Sequence, residues 1–365
     1  MKIIHTADLH LDSKLDANFA DEPERKKQRR EETLVAFTRL ADYAAQNDVK
    51  VVIIAGDMFD TNSVINRVVN TVLNTIRKYP DIDFLYLRGN HDEKSIFVDA
   101  ATKPENLKLF NKDEWTEYQY DNISIWGTES LADREKYASF VPERSRFNIV
   151  TLHGQTSLHK KNNDKSDVIA LNSFKNLGLD YIALGHIHSF IKEKLDDRCD
   201  YCYAGCLEGR GFDECGVKGF CLLDINGDKY THEFIPFAKR EFHHVEVDIT
   251  DTIYQDDIAD LIREKIKDIP AKDMILVDLV GYHTVETEIN IPFFTELLGG
   301  SYFLFKIKCH SKPLINVEDY KGNISLKGEF LDLVEGSDLS DEDKKKVMLL
   351  GIQALSGVKV GELSI

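Results

Sequence analysis

Short apolar runs recur through the first two thirds of the chain, and longer stretches with helical spacing separate several of them. KIIHTA, KVVIIA, DFLYLR, NISIWG, FNIVTL and DYIAL are the right length for strands. KVVIIA is rich in β-branched residues and apolar throughout, as a strand covered on both faces should be. Between the first two runs, PERKKQRREETLVAFTRLADYAAQN carries Leu34, Phe37, Leu40, Ala41 and Ala44 at the spacing of one helix face. After KVVIIA, SVINRVVNTVLNTIRKY does the same with Ile65, Val68, Val69, Val72, Leu73 and Ile76. Helices alternating with buried strands predict a mostly open α/β sheet with helices on its faces.

The texture changes near residue 240. EFHHVEVDI alternates, YQDDIADLIREKI is an amphipathic helix, MILVDLV and FLFKIKC read as strands, and a polar helix around SDEDKKKVMLLGIQAL ends the pattern. The 365 residues therefore divide into an α/β domain over 1–238 and a smaller α+β domain over 239–365. Internal repeats and long low-complexity linkers are not seen.

No apolar run approaches the roughly 20 residues that cross a bilayer. The opening MKIIHTADLH places His5 and Asp8 where a signal peptide keeps an uninterrupted apolar segment, so a cytoplasmic protein is expected, with no membrane partner. Six cysteines are too few for a disulfide framework. Cys199, Cys202, Cys206 and Cys215 crowd together, but the alternation in YCYAGC favours buried thiols on a strand over a zinc-binding C-x2-C-x3-C. The net charge of −17 repels polyanions, and two bound dications would bring it only to −13.

Chemistry enters at the strand ends. KIIHTA runs into Asp8 and His10, KVVIIA into Gly56, Asp57 and Asp60, DFLYLR into Gly89, Asn90, His91 and Asp92, FNIVTL into His153 and Gly154, and DYIAL into Gly185, His186 and His188. Ligands of open α/β sheets bind beyond the carboxyl ends of the strands, so these side chains should converge on one rim. Imidazole, carboxylate and amide donors without thiolate suit manganese, iron or zinc in a reactive site. Asp8, His10, Asp57, Asn90, His153, His186 and His188 are too many ligands for one ion and enough for two divalent ions about 3.5–4 Å apart. Asp57, at a central strand end, is the natural bridge. Taken singly, each motif reads as turn chemistry; five in order do not, because turns do not require histidine.

D-x-H, G-D-x-x-D, G-N-H-D, H and G-H-x-H in this order resemble the calcineurin-like metallophosphoesterase superfamily. HTADLHLDS, VVIIAGDMFD, LRGNHD, DYIALGHIH and YAGCLEGRGFDECGVKGF narrow the resemblance to SbcD-type DNA repair exonucleases, well over residues 1 to about 235 and in general character beyond. The resemblance implies a sheet sandwich flanked by helices with a C-terminal α+β capping domain. It also implies Asp8, His10 and His188 on one metal, Asn90, His153 and His186 on the other, and Asp57 shared. His91 would sit over the substrate phosphate, oriented by Asp60, and the metal would be manganese.

The function expected on this basis is a manganese-dependent DNA exonuclease and endonuclease. A phosphoesterase acting on nucleotides or other small phosphate esters is the alternative, which the acidic surface would not hinder. A scaffold without catalysis is disfavoured by the complete ligand set. Arg25, Lys26, Lys27, Arg29 and Arg30 open the first long helix, and Lys160, Lys161 and Lys165 follow His153. Each reads first as a solvated face, and the loop is the better candidate for a phosphate contact. The resemblance further implies an SbcC-type coiled-coil ATPase as partner, attached in relatives through a C-terminal extension where this sequence has one short helix at about 340–355. It also implies a homodimer, for which the helix after GDMFD offers an apolar face.

Overall fold

The apolar runs fold as strands, and they divide between two sheets instead of lying in one. Lys2–Thr6 (β1), Val49–Ala55 (β2), Asp83–Leu87 (β3), Leu107–Leu109 (β4), Thr116–Tyr120 (β5), Ile123–Gly127 (β6), Phe147–His153 (β7), Gln155–Thr156 (β8) and Val168–Ile169 (β9) come first. Tyr181–Gly185 (β10), Ile191–Lys194 (β11), Asp200–Tyr203 (β12), Gly219–Asn226 (β13) and Lys229–Pro236 (β14) follow. One six-stranded sheet has the order β14-β13-β1-β2-β3-β4 and the other β11-β12-β10-β7-β6-β5. The sheet sandwich flanked by helices that the resemblance implies is what forms; the mostly open sheet read from the alternation alone is corrected, because a buried apolar run looks the same in either sheet. This computed structural model describes residues 1–15, 19, 21–60, 64–89, 97, 103–129, 140–156, 168–284, 287, 289–313, 320, 322 and 324–355.

The two sheets pack through alternate residues of their strands. Ile3, Val51, Ile53, Leu85 and Leu87 meet Ile125, Phe147, Ile149, Tyr181 and Ala183 in the core between them. The intervening residues Ile4, Val52, Ile54 and Phe84 point to the opposite face, as the two-residue strand period requires. Helices Pro23–Gln46 (α1) and Asn66–Lys78 (α2) cover that face with Leu34, Phe37, Leu40, Ala41, Val68, Val72 and Ile76. Each such Val, Leu, Ile or Phe side chain contributes about 1.5–3 kcal/mol by leaving water. The outer face of the second sheet is covered by Phe140, Leu171, Phe174 and Leu179.

The chain separates into two compact units, Met1–Phe242 and His243–Ile365. In the second unit, Phe242–Asp248 (β15), Met274–Val280 (β16) and Leu304–Cys309 (β18) form a sheet in the order β15-β16-β18, with Tyr282–His283 (β17) and Lys312–Pro313 (β19) paired apart. Helices Gln255–Ile266 (α3) and Ile291–Gly299 (α4) supply Ile258, Ile262, Phe294 and Leu298 to its core. Two helices close the described chain where one was expected: Leu326–Glu335 (α5) and Asp341–Leu355 (α6). They pack through Leu331, Val334, Met348 and Ile352. The signal for α5 is Ser325, whose side chain accepts from Gly328 N and caps the first turn. Among the described residues, no helix is long and apolar enough to cross a membrane.

A buried ionic cluster ties α1 to the segment that follows β12. Arg29, fully buried, donates to Glu32 (3.2 Å), Glu208 (2.8 Å) and the Gly209 carbonyl (2.8 Å). Arg240 also donates to Glu32 at 2.9 Å. Arg29 is therefore a structural cation, which corrects the expectation of a solvated helix face at this position. Burial opposes the charge on Glu32, but hydrogen bonds from Arg240 and Lys239 and the field of Arg29 outweigh it and hold the carboxyl down at about 2. A carboxylate depressed on folding adds stability that is complete above its ordinary value of about 4.5 and drains away as pH falls toward 2, here about 3 kcal/mol. Denaturant melts at pH 6 and pH 3 check this: the native chain should lose more stability between the two than Glu32→Gln does, and equal losses would assign the acid sensitivity elsewhere.

Candidate metal centre

The turn after β1 and the turn after β2 are laced together by backbone hydrogen bonds. Asp8 N donates to the Gly56 carbonyl (3.1 Å), His10 N to that of Asp57 (3.0 Å) and Leu11 N to that of Met58 (2.9 Å). Within this lacing, Asp8 (φ 51°), His10 (φ 43°) and Asp57 (φ 49°) take left-handed backbone conformations, as does His186 (φ 104°) after β10. Such conformations are uncommon for residues other than glycine and gather where the surrounding structure aims side chains at a site. Two glycines make the close approach feasible. A Cβ on Gly89 would lie 2.1 Å from Asp57 Oδ1, and one on Gly185 would lie 1.8 Å from the Ala55 carbonyl oxygen.

The side chains aimed by these turns form two overlapping clusters. Asp8, His10 and His188 bring donor atoms within 4.8 Å of one another, and so do Asp8, Asp57 and His153. His10 Nε2 and His188 Nε2 are 3.1 Å apart. Asp57 Oδ2 stands 3.3 Å from His153 Nε2 and 3.8 Å from His10 Nε2, between the two groups. His153 Nδ1 donates to the Ala55 carbonyl at 2.9 Å, which turns Nε2 toward Asp57. The His186 ring stands edge to face against His153 at 5.5 Å, and Asp8 accepts from His186 N at 2.9 Å. Asp8, His10, Asp57 and His153 are all buried. Asn90 and His91 lie outside the described residues, as do Lys160, Lys161 and Lys165.

Behind the clusters stands a charged ring, part of which the sequence did not reveal. Asp60 Oδ1 is 3.1 Å from His10 Nδ1, and Glu214 Oε1 accepts from His188 Nδ1 at 2.7 Å. Arg210 joins the two carboxylates, donating to Asp60 at 2.9 Å and to Glu214 at 3.1 Å. Burial opposes ionisation of Glu214, but His188 and Arg210 hold its carboxyl far below the usual range. The only sequence signal for Arg210 and Glu214 was charge inside a glycine-rich segment, GRGFDECG, which does not show that both fold under the histidines. Asp60 was expected to orient His91; its described partners include His10 and Arg210.

The arrangement fits divalent cations on the chemistry of its donors. With Asp60 3.1 Å from His10 Nδ1 and Glu214 2.7 Å from His188 Nδ1, the two Nε2 atoms face each other at 3.1 Å, where a cation between them would accept both lone pairs. Burial also lowers the affinity of His10 for a proton. Burial opposes charge on His153 too, yet the carboxylates of Asp57 and Asp8 overcome it and raise the ring to about 9, so the pocket draws positive charge. Carboxylates behind ligating histidines orient the rings and raise their basicity, and losing one costs about 10- to 100-fold in metal affinity or activity. Glu214→Gln is expected to weaken divalent-metal binding by that factor while leaving the chain folded. Calorimetric titration of both proteins would decide, with unchanged affinity removing Glu214 from any such role.

The family model described as calcineurin-like phosphoesterase matches residues 1–190. The DNA double-strand break repair protein Mre11 of Sulfolobus acidocaldarius is 24% identical over 374 aligned positions, spanning 95% of this chain and 94% of that protein. YhaO of Bacillus subtilis, named an uncharacterized metallophosphoesterase, is 26% identical over 271 positions, spanning 69% of this chain and 64% of its own length. The D component of the nuclease SbcCD of Staphylococcus epidermidis is 24% identical over 313 positions, with 73% of this chain and 75% of that protein covered.

Proposed function

The chain belongs to the calcineurin-like phosphoesterase family, whose members hydrolyse phosphoesters at a dimetal centre, and on that premise we propose that it is a manganese-dependent DNA exonuclease and endonuclease acting in DNA repair in the cytoplasm. The observation that carries the reading is the pair of buried donor clusters that share Asp8, with Asp57 standing between them. Asp8, His10 and His188 would hold one ion, Asn90, His153 and His186 the other, and Asp57 both. Two divalent ions held there would lower the pKa of a bound water and offset charge building on the phosphoryl oxygens. Asp60, Glu214 and Arg210 keep the histidine rings in place, and His91 would protonate the leaving oxygen.

A DNA substrate must overcome the net charge of −17. Support for a local reversal comes from a groove lined by Lys26, Lys27, Arg30 and Arg67 against Asp12 and Glu31, with Leu34 and Val68 in its wall. Its lining includes Asp12, two residues beyond His10 in the chain. A small phosphate ester needs no such groove, and the acidity of the chain favours that second reading. As to partners, an SbcC-type coiled-coil ATPase is part of the proposal through the relatives named for break repair and for SbcCD. A homodimer through α2 would have little apolar surface to use, since Val68, Val72, Leu73 and Ile76 are buried in the chain's own core and Ile65 is half exposed.

Linear duplex DNA, single-stranded DNA and an aryl phosphodiester, each with manganese, separate the readings. Cleavage of DNA that disappears on chelation supports the nuclease; cleavage of the aryl compound alone supports a small-ester phosphoesterase; cleavage of none removes the enzyme reading.

A further inference from the structure

A second cluster of metal-ligating side chains lies between the sheets, away from the strand ends. His5, Cys202 and Cys221, all fully buried, bring one donor atom each within 4.8 Å of one another. The strand register explains the convergence. His5 on β1 pairs directly with Cys221 on β13, so their side chains leave the same face. Leu223, two residues along and therefore on that face as well, pairs with His232 on β14. From the facing sheet, Cys202 on β12 points back, and its Sγ is 3.6 Å from Cys221 Sγ. His232 lies beside this group, its ring 5.8 Å from that of Tyr181, and its buried Nε2 has no hydrogen-bond partner among the described residues.

We propose that His5, Cys202 and Cys221 hold a structural zinc ion that clamps one sheet to the other, with the neighbouring His232, outside the three-residue cluster in this structure, turning in as the fourth ligand. Two thiolates on a tetrahedral zinc, with Zn–S of about 2.3 Å, stand about 3.8 Å apart, close to the separation seen here. A disulfide requires about 2.05 Å and has no use for two imidazoles. The tautomer of His5 also suits the role. Its Nε2 lies 3.2 Å from the Leu184 carbonyl oxygen, which can only accept, so Nε2 carries the hydrogen and Nδ1 keeps its lone pair. Nδ1 now meets the Tyr181 hydroxyl at 2.9 Å, and that hydroxyl can turn its hydrogen to either thiol. Binding releases the two thiol protons, and a dication with two thiolates and two neutral imidazoles is a neutral unit that an apolar core can enclose. His232 is partly exposed, with the Phe190 ring stacked on it at 5.9 Å, which marks the way in. Of the C-x2-C-x3-C run only Cys202 takes part: Cys199 turns to the Asp200 carbonyl and Cys206 to Glu214.

Cobalt(II) tests the proposal on the full chain, stripped with chelator and kept reduced. Thiolate-to-cobalt charge transfer absorbs in the near ultraviolet, and the strand-end centre, built from nitrogen and oxygen donors, cannot produce it. One equivalent of cobalt is expected to raise the band and zinc(II) to abolish it. Cys202→Ser and Cys221→Ser should lose the band, His232→Ala should fold and bind cobalt at least about tenfold more weakly, and Asp57→Asn should keep it. The native chain gives its answer even if a cysteine variant does not fold. Cobalt uptake without the band would overturn the site, as would a mass two hydrogens short that maps to a Cys202–Cys221 disulfide.

Discussion

Asp57→Asn is expected to lower phosphodiesterase activity by on the order of 1,000-fold and to reduce the bound metal from two ions to one or none. Asn is the informative replacement because it tolerates the left-handed backbone that Asp57 occupies at φ 49°. The shape of the turn is kept and only the charge is removed. That charge lies 3.3 Å from His153 Nε2 and 3.8 Å from His10 Nε2, beside the Asp8 carboxylate that both clusters share. Asp57→Ala should lose metal as well, with added strain from a β-carbon held at positive φ without a side chain to anchor it. Elemental analysis beside circular dichroism decides the matter. A folded Asp57→Asn protein with two ions per chain would remove Asp57 from its proposed place.

His91→Ala is expected to show the complementary pattern, with kcat lower by about 100- to 10,000-fold and metal content unchanged. A group that donates to the leaving oxygen acts only in the transition state, so its loss appears in kcat and leaves KM and metal affinity near their native values. The basic limb of the pH–rate profile, where such a donor loses its proton, should flatten in the variant. Asp60→Asn offers a contrast, because Asp60 sits on His10 Nδ1 and Arg210; its loss should disturb metal affinity along with turnover. A His91→Ala protein that had lost its metal would place His91 among the ligands.

The sequence made the strands and the converging residues legible because both follow from local rules. Apolar runs such as KVVIIA and DYIAL announce buried strands, and polar residues immediately after them must lie at the strand ends. The sequence did not say which sheet a run would join, since β2 and β7 look alike as strings and their partners are set by long-range pairing. The charged ring was hidden for the same reason. Glu214 lies 26 residues from the histidine it holds, and Arg210 lies 150 from Asp60. Arg29 shows the reverse error: in a string it belongs to a basic helix start, while in the fold it is completely enclosed. Helix α5 escaped notice because it is only ten residues long and carries a glycine in its first turn.

The strand-end centre draws Asp8, His10 and Asp57 from the edge of one sheet and His153, His186 and His188 from the edge of the other. Any motion that parted the layers at this end would have to tear those groups from a common charge. With ions bound, the sandwich could therefore gape only at the far margin, and the mouth at the strand ends would be stiff. If the proposed nuclease reading holds, compliance must come from the guest: a strand would have to fray or bend to bring its phosphate to the floor, and blunt, tightly stacked ends should be cut more slowly than loosened ones.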